Sequence, residues 1–285
     1  MADLPEWKAR LDGYRLGSLK SLFGVPKPVI GVVHLWPLPG SPGYCGYGVE
    51  AIVEHGLRDA DALVQGGVDG LIVENMWDQP YHSGAADMQI ESLAAHAVAA
   101  RAVVQAVKIP VGINVVHNGG VNVLAIALAA GATFMRICLL TGAAIWDTGD
   151  IDEGSAPALL RRRKDLQAEP IKIFADVDKK HSVRLGPIDL ETHIEWTEYY
   201  GADALIVSGR MTGNAPDVDK VRRARALAHR PILIGSGATA QNIRQLFQHA
   251  DGVIVGSTLK YDGVPEKAVD VERVKQFMEA ARAHD

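Results

Sequence analysis

Ionisable side chains stand at the ends of several short apolar runs in this chain. Glu74 ends one such run, Asp176 a second and His34 a third. Burial and nearby charges can tune a carboxylate or imidazole to move protons near neutral pH. These three residues are therefore the candidates for acid–base catalysis. The competing interpretation makes Glu74 a structural ion pair with Arg136 and His34 a hydrogen-bonded core residue.

Further polar side chains occupy equivalent positions at or just beyond the ends of the apolar runs. His117 and Asn118 belong to this ring without a defined role, and five members suit substrate binding: Asn114, Arg136, Lys180, His181 and Ser208. Packing alone explains such a ring poorly, although the Lys-Lys-His run can also be a solvated loop. Because the ligands are not closely spaced, we predict no metal and no cofactor; a divalent ion held by the three catalytic candidates is the weaker alternative.

Two glycine-rich turns late in the chain indicate a site for an anion. Apolar residues 231–234 and 252–255 each run into a stretch of small residues. Glycine lets the backbone approach a ligand closely, and a helix that follows would add its N-terminal N–H groups and dipole. Two such turns in succession match the phosphate site after strands seven and eight of a (β/α)₈ barrel. The predicted phosphate-binding residues are Gly235, Ser236, Gly237, Gly256 and Ser257; the alternative is two ordinary strand-to-helix turns.

The elements that would position these residues alternate along the chain. Eight continuous apolar runs, typical of parallel strands buried on both faces, are separated by eight predicted helices. We predict an α/β fold, a (β/α)₈ TIM barrel over residues 28–285 with an N-terminal helical extension over residues 1–27. The alternative is a doubly wound open sheet, whose glycine fingerprint would follow the first strand. Here the first loop is rich in proline instead.

One predicted connection, residues 139–155, is unusually long for a barrel. Loops of that length in compact domains are usually lids or binding loops. Glycines would give it hinges, and Ile145 and Trp146 would give it a cover that excludes water. We therefore predict an active-site lid.

Composition excludes several classes of protein. The 285 residues are 48% hydrophobic and 22% charged, with a formal net charge of −5 and no basic patch suited to nucleic acid. No apolar run approaches the roughly 20 residues that span a bilayer, and the first 27 residues do not read as a secretory signal. Cys45 and Cys138 form no ligand cluster, which fits a reducing compartment. We predict a cytoplasmic homo-oligomer, with peripheral membrane association as the alternative.

Several motifs resemble those of the BtpA/SgcQ family, and the resemblance extends from Lys27 to the end of the chain. The most distinctive is the opening segment, residues 28–42, and the others are Val73-Glu74-Asn75, residues 112–115, Arg136-Ile137, residues 149–154, Ala175-Asp176-Val177 with Lys180-His181, and Gly235-Ser236-Gly237. The resemblance implies a phosphate-binding barrel. It also implies one of two settings, because cyanobacterial members are associated with photosystem I biogenesis and others are named as nucleosidases in sugar utilisation. It supplies no established reaction.

We therefore predict an enzyme that acts on a phosphorylated sugar, nucleoside or nucleotide. The reaction would be an isomerisation, a lyase reaction or a glycosyl transfer that uses the carboxylates at the strand ends. The alternative is a non-catalytic biogenesis or stability factor for photosystem I or another membrane complex, in which the polar ring is dispensable. A catalytically inactive phosphate-binding regulator is a third interpretation.

Overall fold

The chain forms a closed barrel of parallel strands, seen in a computed structural model that describes residues 19–82, 88–179, 181–209 and 216–283. The strands of the described residues are β1 (Val29–His34), β2 (Gly70–Glu74), β3 (Val111–Asn114), β4 (Phe134–Ile137), β5 (Ala143–Trp146), β6 (Ile151–Glu153), β7 (Lys172–Asp178), β8 (Ser182–Arg184), β9 (Ala204–Val207), β10 (Ile232–Ile234) and β11 (Gly252–Val255). Eight of them form the barrel in the order β1-β11-β10-β9-β7-β4-β3-β2, which confirms the TIM-barrel prediction and excludes the open sheet.

The helices of the described residues are α1 (Leu19–Phe23), α2 (Gly48–Gln65), α3 (Ile90–Ala106), α4 (Gly120–Ala130), α5 (Ala156–Asp165), α6 (Leu190–Tyr199), α7 (Val218–Leu227), α8 (Ile243–Leu246) and α9 (Val271–Arg282). Helix α1 precedes the first strand, and the others cover the outside of the sheet. Aspartates cap several of them; Asp189, for example, accepts a hydrogen bond from the backbone N–H of Thr192 at the start of α6. Gly131 ends α4 in the left-handed conformation that glycine adopts without strain.

Aromatic side chains fill the interior of the barrel and close its lower end. Phe134 and Phe174 stack inside the barrel with ring centroids 4.8 Å apart, and Phe23 of α1 meets Phe134 edge-on at 5.5 Å. Phe23 lies where β2 begins, since a Cβ on Gly70 would come within 2.5 Å of its ring. Helix α1 therefore plugs the end of the barrel at which the strands start. Residues 1–18 of the predicted extension lie outside the described residues.

The long connection after β4 is a β-hairpin rather than a loop. Strands β5 and β6 pair antiparallel, and β8 joins β5 from the other side to give a sheet of order β6-β5-β8 above the barrel. Alternate residues of β5 face opposite ways, so Trp146 is buried against the barrel while Ile145 is 38% exposed. We call this three-stranded sheet the lid. Only one of the two residues predicted to cover the site faces inward.

None of the described helices combines the length with the apolar composition that crossing a membrane would require.

Candidate active site at the carboxyl ends of the strands

Strand register places four of the predicted site residues side by side. His34 of β1 pairs with Glu74 of β2, Glu74 pairs with Asn114 of β3, and Asn114 pairs with Arg136 of β4. All four side chains are buried at the end of the barrel where the strands finish. Active sites of TIM-barrel enzymes lie at this end. The polar ring predicted from the sequence is thus a continuous row of neighbouring residues.

Glu74 is held in place by an amide and lies at the edge of open space. The Asn114 side-chain N–H donates to Oε2 of Glu74, and the Glu74 side chain also lines a cleft at this end of the barrel. Asn114 receives a further contact, because the Cys138 thiol lies 3.6 Å from its Oδ1. A carboxylate that is positioned by a neighbour and reachable from a cleft can exchange a proton with a bound molecule.

Arg136 and Asp176 form a buried two-point ion pair. Nε and Nη2 of Arg136 lie 2.9 Å from Oδ2 and Oδ1 of Asp176, and Ser208 Oγ donates to the same carboxylate over 3.4 Å. Burial by itself would lower the pKa of Arg136, but the Asp176 carboxylate outweighs it and raises that pKa above its usual value. The guanidinium therefore stays charged and fixed in orientation. Proton transfer by Asp176 stays a prediction, while the geometry gives it a role in positioning Arg136.

Two cavities open at this rim and share a wall. The larger, of about 530 Å³, is lined mainly by the ends of β2 to β4 and by the lid, and the smaller, of about 50 Å³, by the turns after β10 and β11. We call them the main cleft and the turn pocket. Glu74, Met76 and Arg136 line both of them. By contrast, the described linings of these two cavities do not include Asn114, Asp176 or Ser208, which lie behind and support the residues at the surface.

The turn pocket contains the predicted phosphate-binding residues, although not all act as expected. The N–H of Gly235 donates to the Val207 carbonyl over 2.9 Å, so it belongs to the barrel and cannot serve a ligand. Gly235 instead provides space, since a Cβ there would come within 2.5 Å of Ser208 Oγ. Gly237 has a φ of +73°, a conformation that favours glycine. His34 lies against Gly256, where a Cβ would come within 2.9 Å of its ring.

The helices that follow these two turns do not begin at the pocket. The helix predicted to start near Thr239 begins at Ile243 and is the single turn α8. The helix predicted after β11 is α9, which begins only at Val271, and a short 3₁₀ turn over Ser257–Leu259 follows β11 directly. A helix dipole therefore contributes little here, and any anion would rest on the turns themselves. The two turns are tied together, because Thr258 Oγ1 donates to the Ala238 carbonyl over 2.8 Å.

The lid wall of the main cleft holds a second group of polar residues. The His117 ring stacks on Trp146 at 4.3 Å, and Asp147 accepts a hydrogen bond from His181 Nδ1 over 2.9 Å. Burial first, and then Lys179, lower the pKa of His117 to about 4, although Asp147 opposes the shift. Sequence reasoning gave His117 no role and did not select Asp147. The pairing of β5 with β8 brings Asp147 to His181, and the stacking of Trp146 on His117 brings the lid to the end of β3. Lys180, also predicted to bind substrate, lies outside the described residues.

Among the described residues, no three His, Cys, Asp or Glu side chains are grouped closely enough to hold a metal ion.

Fold and rim together define a (β/α)₈ barrel with an ionisable cleft at its carboxyl end. The chain belongs to the BtpA family, whose model matches residues 25–283. It is 43% identical over 265 residues to the photosystem I biogenesis protein BtpA of Synechocystis, covering 92% of this chain and 91% of that one. It is also 41% identical over 256 residues to a protein of Thermococcus kodakarensis, covering 90% and 95%.

Solved structures show the same fold at low sequence identity. A tryptophan synthase structure from M. tuberculosis matches with a TM-score of 0.57 and 18% identity, over 95% of this chain and 98% of that one. N-(5'-phosphoribosyl)anthranilate isomerase from Pyrococcus furiosus matches with a TM-score of 0.56 and 12% identity, over 90% and 99%. At these identities the likeness concerns the barrel alone.

Proposed function

We propose that this BtpA-family barrel is an enzyme acting on a phosphomonoester, a sugar phosphate or a nucleotide, whose phosphate binds in the turn pocket. One observation carries the proposal: the turn pocket and the main cleft open at the same rim and share Glu74 and Arg136. A ligand anchored by its phosphate would therefore extend past a carboxylate and a guanidinium. Two of the structural neighbours are named for phosphate compounds, thiamine phosphate pyrophosphorylase and phosphoribosylanthranilate isomerase.

Recognition of the phosphate would depend mainly on short side chains and backbone groups. Ser236, Gly237, Ser257 and Thr258 line the turn pocket, and all of them can bring N–H or hydroxyl groups close to an anion. The tie between Thr258 and Ala238 holds the two turns at a fixed separation. Arg136 supplies a positive charge on the shared wall. Because Asp176 fixes this guanidinium, it can bridge the phosphate end and the reacting end without reorganising.

Catalysis would depend on Glu74. The carboxylate would accept a proton from a carbon or hydroxyl of the substrate and return it to a neighbouring atom, as isomerisation and elimination require. Arg136 would stabilise the negative charge that develops on the substrate oxygen. Binding energy from the remote phosphate would hold the reacting carbon within reach of Glu74. Asp176 would keep Arg136 in place. The variants Asp176→Asn and Glu74→Gln distinguish this positioning role from proton transfer.

The non-catalytic alternative rests on the name of the Synechocystis relative, a photosystem I biogenesis protein. A scaffold that docks through its outer helices does not require a row of buried polar and ionisable side chains along a cleft. The side-by-side arrangement of the residues from His34 to Arg136 on neighbouring strands therefore favours an enzyme.

The turn pocket can be tested with inorganic phosphate, ribose 5-phosphate and ribose in a thermal-shift assay. We expect the two phosphate compounds to raise the melting temperature and ribose to leave it unchanged, since only a ligand of the native state stabilises it. Ser257→Asp would place a negative charge in the pocket and abolish both shifts. Ser21→Asp adds the same charge at an exposed position of α1, at the opposite end of the barrel, and serves as the matched control.

Two outcomes would contradict the proposal. Either neither phosphate compound stabilises the wild-type protein, or Ser257→Asp and Ser21→Asp respond to phosphate equally.

A further inference from the structure

We propose that His117 binds the substrate as a fixed, uncharged hydrogen-bond donor, and that its Nε2–H contacts a neutral oxygen at the reacting end. This inference rests on the proposed function and narrows it. It makes the substrate a phosphomonoester with a carbonyl or hydroxyl oxygen at the far end from its phosphate, rather than a molecule with an anion at both ends.

The His117 ring is clamped between two other rings. Trp146 stacks on it at 4.3 Å with an interplanar angle of 17°, and Tyr81 lies at 4.7 Å on a tilted plane. Both clamps are themselves anchored: Trp146 Nε1 donates to Asp152 over 2.6 Å, and the Tyr81 hydroxyl donates to the Met76 carbonyl. His117 is 3% exposed, yet it lines the main cleft. The ring therefore presents one edge to the cleft in a fixed orientation.

The surroundings of the two ring nitrogens select one tautomer. Nδ1 is sealed from solvent and has no hydrogen-bond partner among the described residues. A hydrogen on Nδ1 would leave a buried N–H unsatisfied, which is costly. Nε2 points the other way, 4.0 Å from Oδ1 of the half-exposed Asp147 on the lid. The hydrogen therefore resides on Nε2, at the edge that a ligand can reach.

The groups around His117 keep it uncharged at neutral pH. Burial is the largest cause of its lowered pKa, Lys179 and His181 act in the same direction, and Asp147 and Asp150 only partly oppose them. A neutral N–H recognises the lone pair of a carbonyl or hydroxyl oxygen. Arg136 and Lys179 also line this cleft, but the Asp147 carboxylate lies 4.0 Å from Nε2. A neutral N–H gives an anionic group little stabilisation there, and Asp147 would repel such a group. Charge and geometry thus favour the same kind of substrate oxygen.

The tautomer can be read directly in the free protein by ¹⁵N NMR of labelled histidine side chains. His117→Gln identifies the signals. We expect the His117 resonances to show a hydrogen on Nε2 and no titration between about pH 5.5 and about pH 8, where an ordinary histidine changes charge. A hydrogen on Nδ1, or a titration in that range, would overturn the inference whatever the protein's activity.

The contact can be tested with ribose 5-phosphate and inorganic phosphate as probes. His117→Phe keeps a flat ring between Trp146 and Tyr81 but removes the donor, whereas His117→Gln keeps a side-chain N–H. We expect the Phe variant to bind ribose 5-phosphate about three- to tenfold more weakly, as expected for one neutral hydrogen bond, and to bind inorganic phosphate as the wild type does. The Gln variant should retain most of the affinity for ribose 5-phosphate.

The inference fails if His117→Phe binds ribose 5-phosphate as tightly as the wild type, or if the wild type binds inorganic phosphate but not ribose 5-phosphate. If the wild type binds neither inorganic phosphate nor ribose 5-phosphate, the proposed function itself is contradicted. The two failures are thus distinguishable.

Discussion

The two sides of the barrel rim that carries the candidate site are built in different ways. The turn pocket consists of backbone turns and small side chains after β10 and β11, joined by the hydrogen bond between Thr258 and Ala238. The lid wall of the main cleft consists of large side chains, with His117 between Trp146 and Tyr81, and it depends on pairing between β5 and β8. One side suits a group of constant shape such as phosphate, and the other can vary with the rest of the substrate. Glu74 and Arg136 stand between them.

Replacing the carboxylate between the two sides should have the largest effect. We expect Glu74→Gln to lower turnover of a phosphomonoester substrate by on the order of 10²–10⁴ fold, because the proton acceptor is lost. Binding of inorganic phosphate should be retained and no weaker, since the turns are intact and a negative charge is removed from the wall of the turn pocket. Steady-state kinetics and calorimetry would measure the two quantities, with the exposed Glu272→Gln of α9 as control. Full turnover in Glu74→Gln would remove this residue from the mechanism.

Breaking the ion pair beneath the shared wall should cost the most stability. Asp176→Asn removes the two-point ion-pair partner of the buried Arg136 guanidinium, and breaking a buried pair in this way costs about 3–5 kcal/mol in the free energy of unfolding. Asp219→Asn is the matched control, because its pair with Arg222 is exposed and worth at most about 1 kcal/mol. Urea denaturation would measure both.

Comparison of Asp176→Asn with Glu74→Gln also separates positioning from proton transfer. If Asp176 only positions Arg136, its Asn variant should bind inorganic phosphate more weakly as well as turn over more slowly. Normal phosphate binding with no turnover would instead assign proton transfer to Asp176.

The lid side should respond to pH through His117. Its pKa in the folded protein, about 4, lies below the ordinary histidine value of 6.5. The unfolded chain therefore binds more protons between these values, and stability is complete above about pH 6.5 and falls as the pH drops towards 4. We expect His117 to account for on the order of 2 kcal/mol of that loss. His117→Gln should flatten the dependence of the unfolding free energy on pH, and an unchanged slope would contradict this account.

Some pH dependence should remain in that variant. Burial also lowers the pKa of His96, in α3, to about 4, so this histidine destabilises the protein in the same pH range.

One methyl group added to the turn pocket should have the smallest effect on stability and binding. In Gly256→Ala the new Cβ would lie 2.9 Å from Cε1 of His34, so the imidazole has to move, at a cost of about 1 kcal/mol. We expect weaker binding of inorganic phosphate because the pocket narrows, with little effect on the lid. Calorimetry would test the binding, and unaltered affinity would show that phosphate does not approach Gly256.

The sequence predicted one side of the rim better than the other for a physical reason. Strand ends and glycine turns are local features, so Glu74 and the turn pocket could be found without knowing which strands are neighbours. The lid wall needs β5 to pair with β8, whose paired residues lie 36 to 40 positions further along the chain, and no local pattern indicates that contact. The late start and short length of α8 were not predicted, because the sequence from Thr239 onwards is typical of an ordinary helix. The Arg136–Asp176 pair likewise depends on the adjacency of β4 and β7, which β5 and β6 separate in the chain.

The aromatic plug at the foot of the barrel restricts how molecules reach the site. With Phe23 lodged beneath Phe134 and Phe174, the interior offers no passage from below. In the proposed enzyme, reactant and product would therefore use the same opening, beside the lid. A product held by both its phosphate and His117 would leave only when that opening clears. Product release, rather than the chemical step, can then limit the rate of turnover.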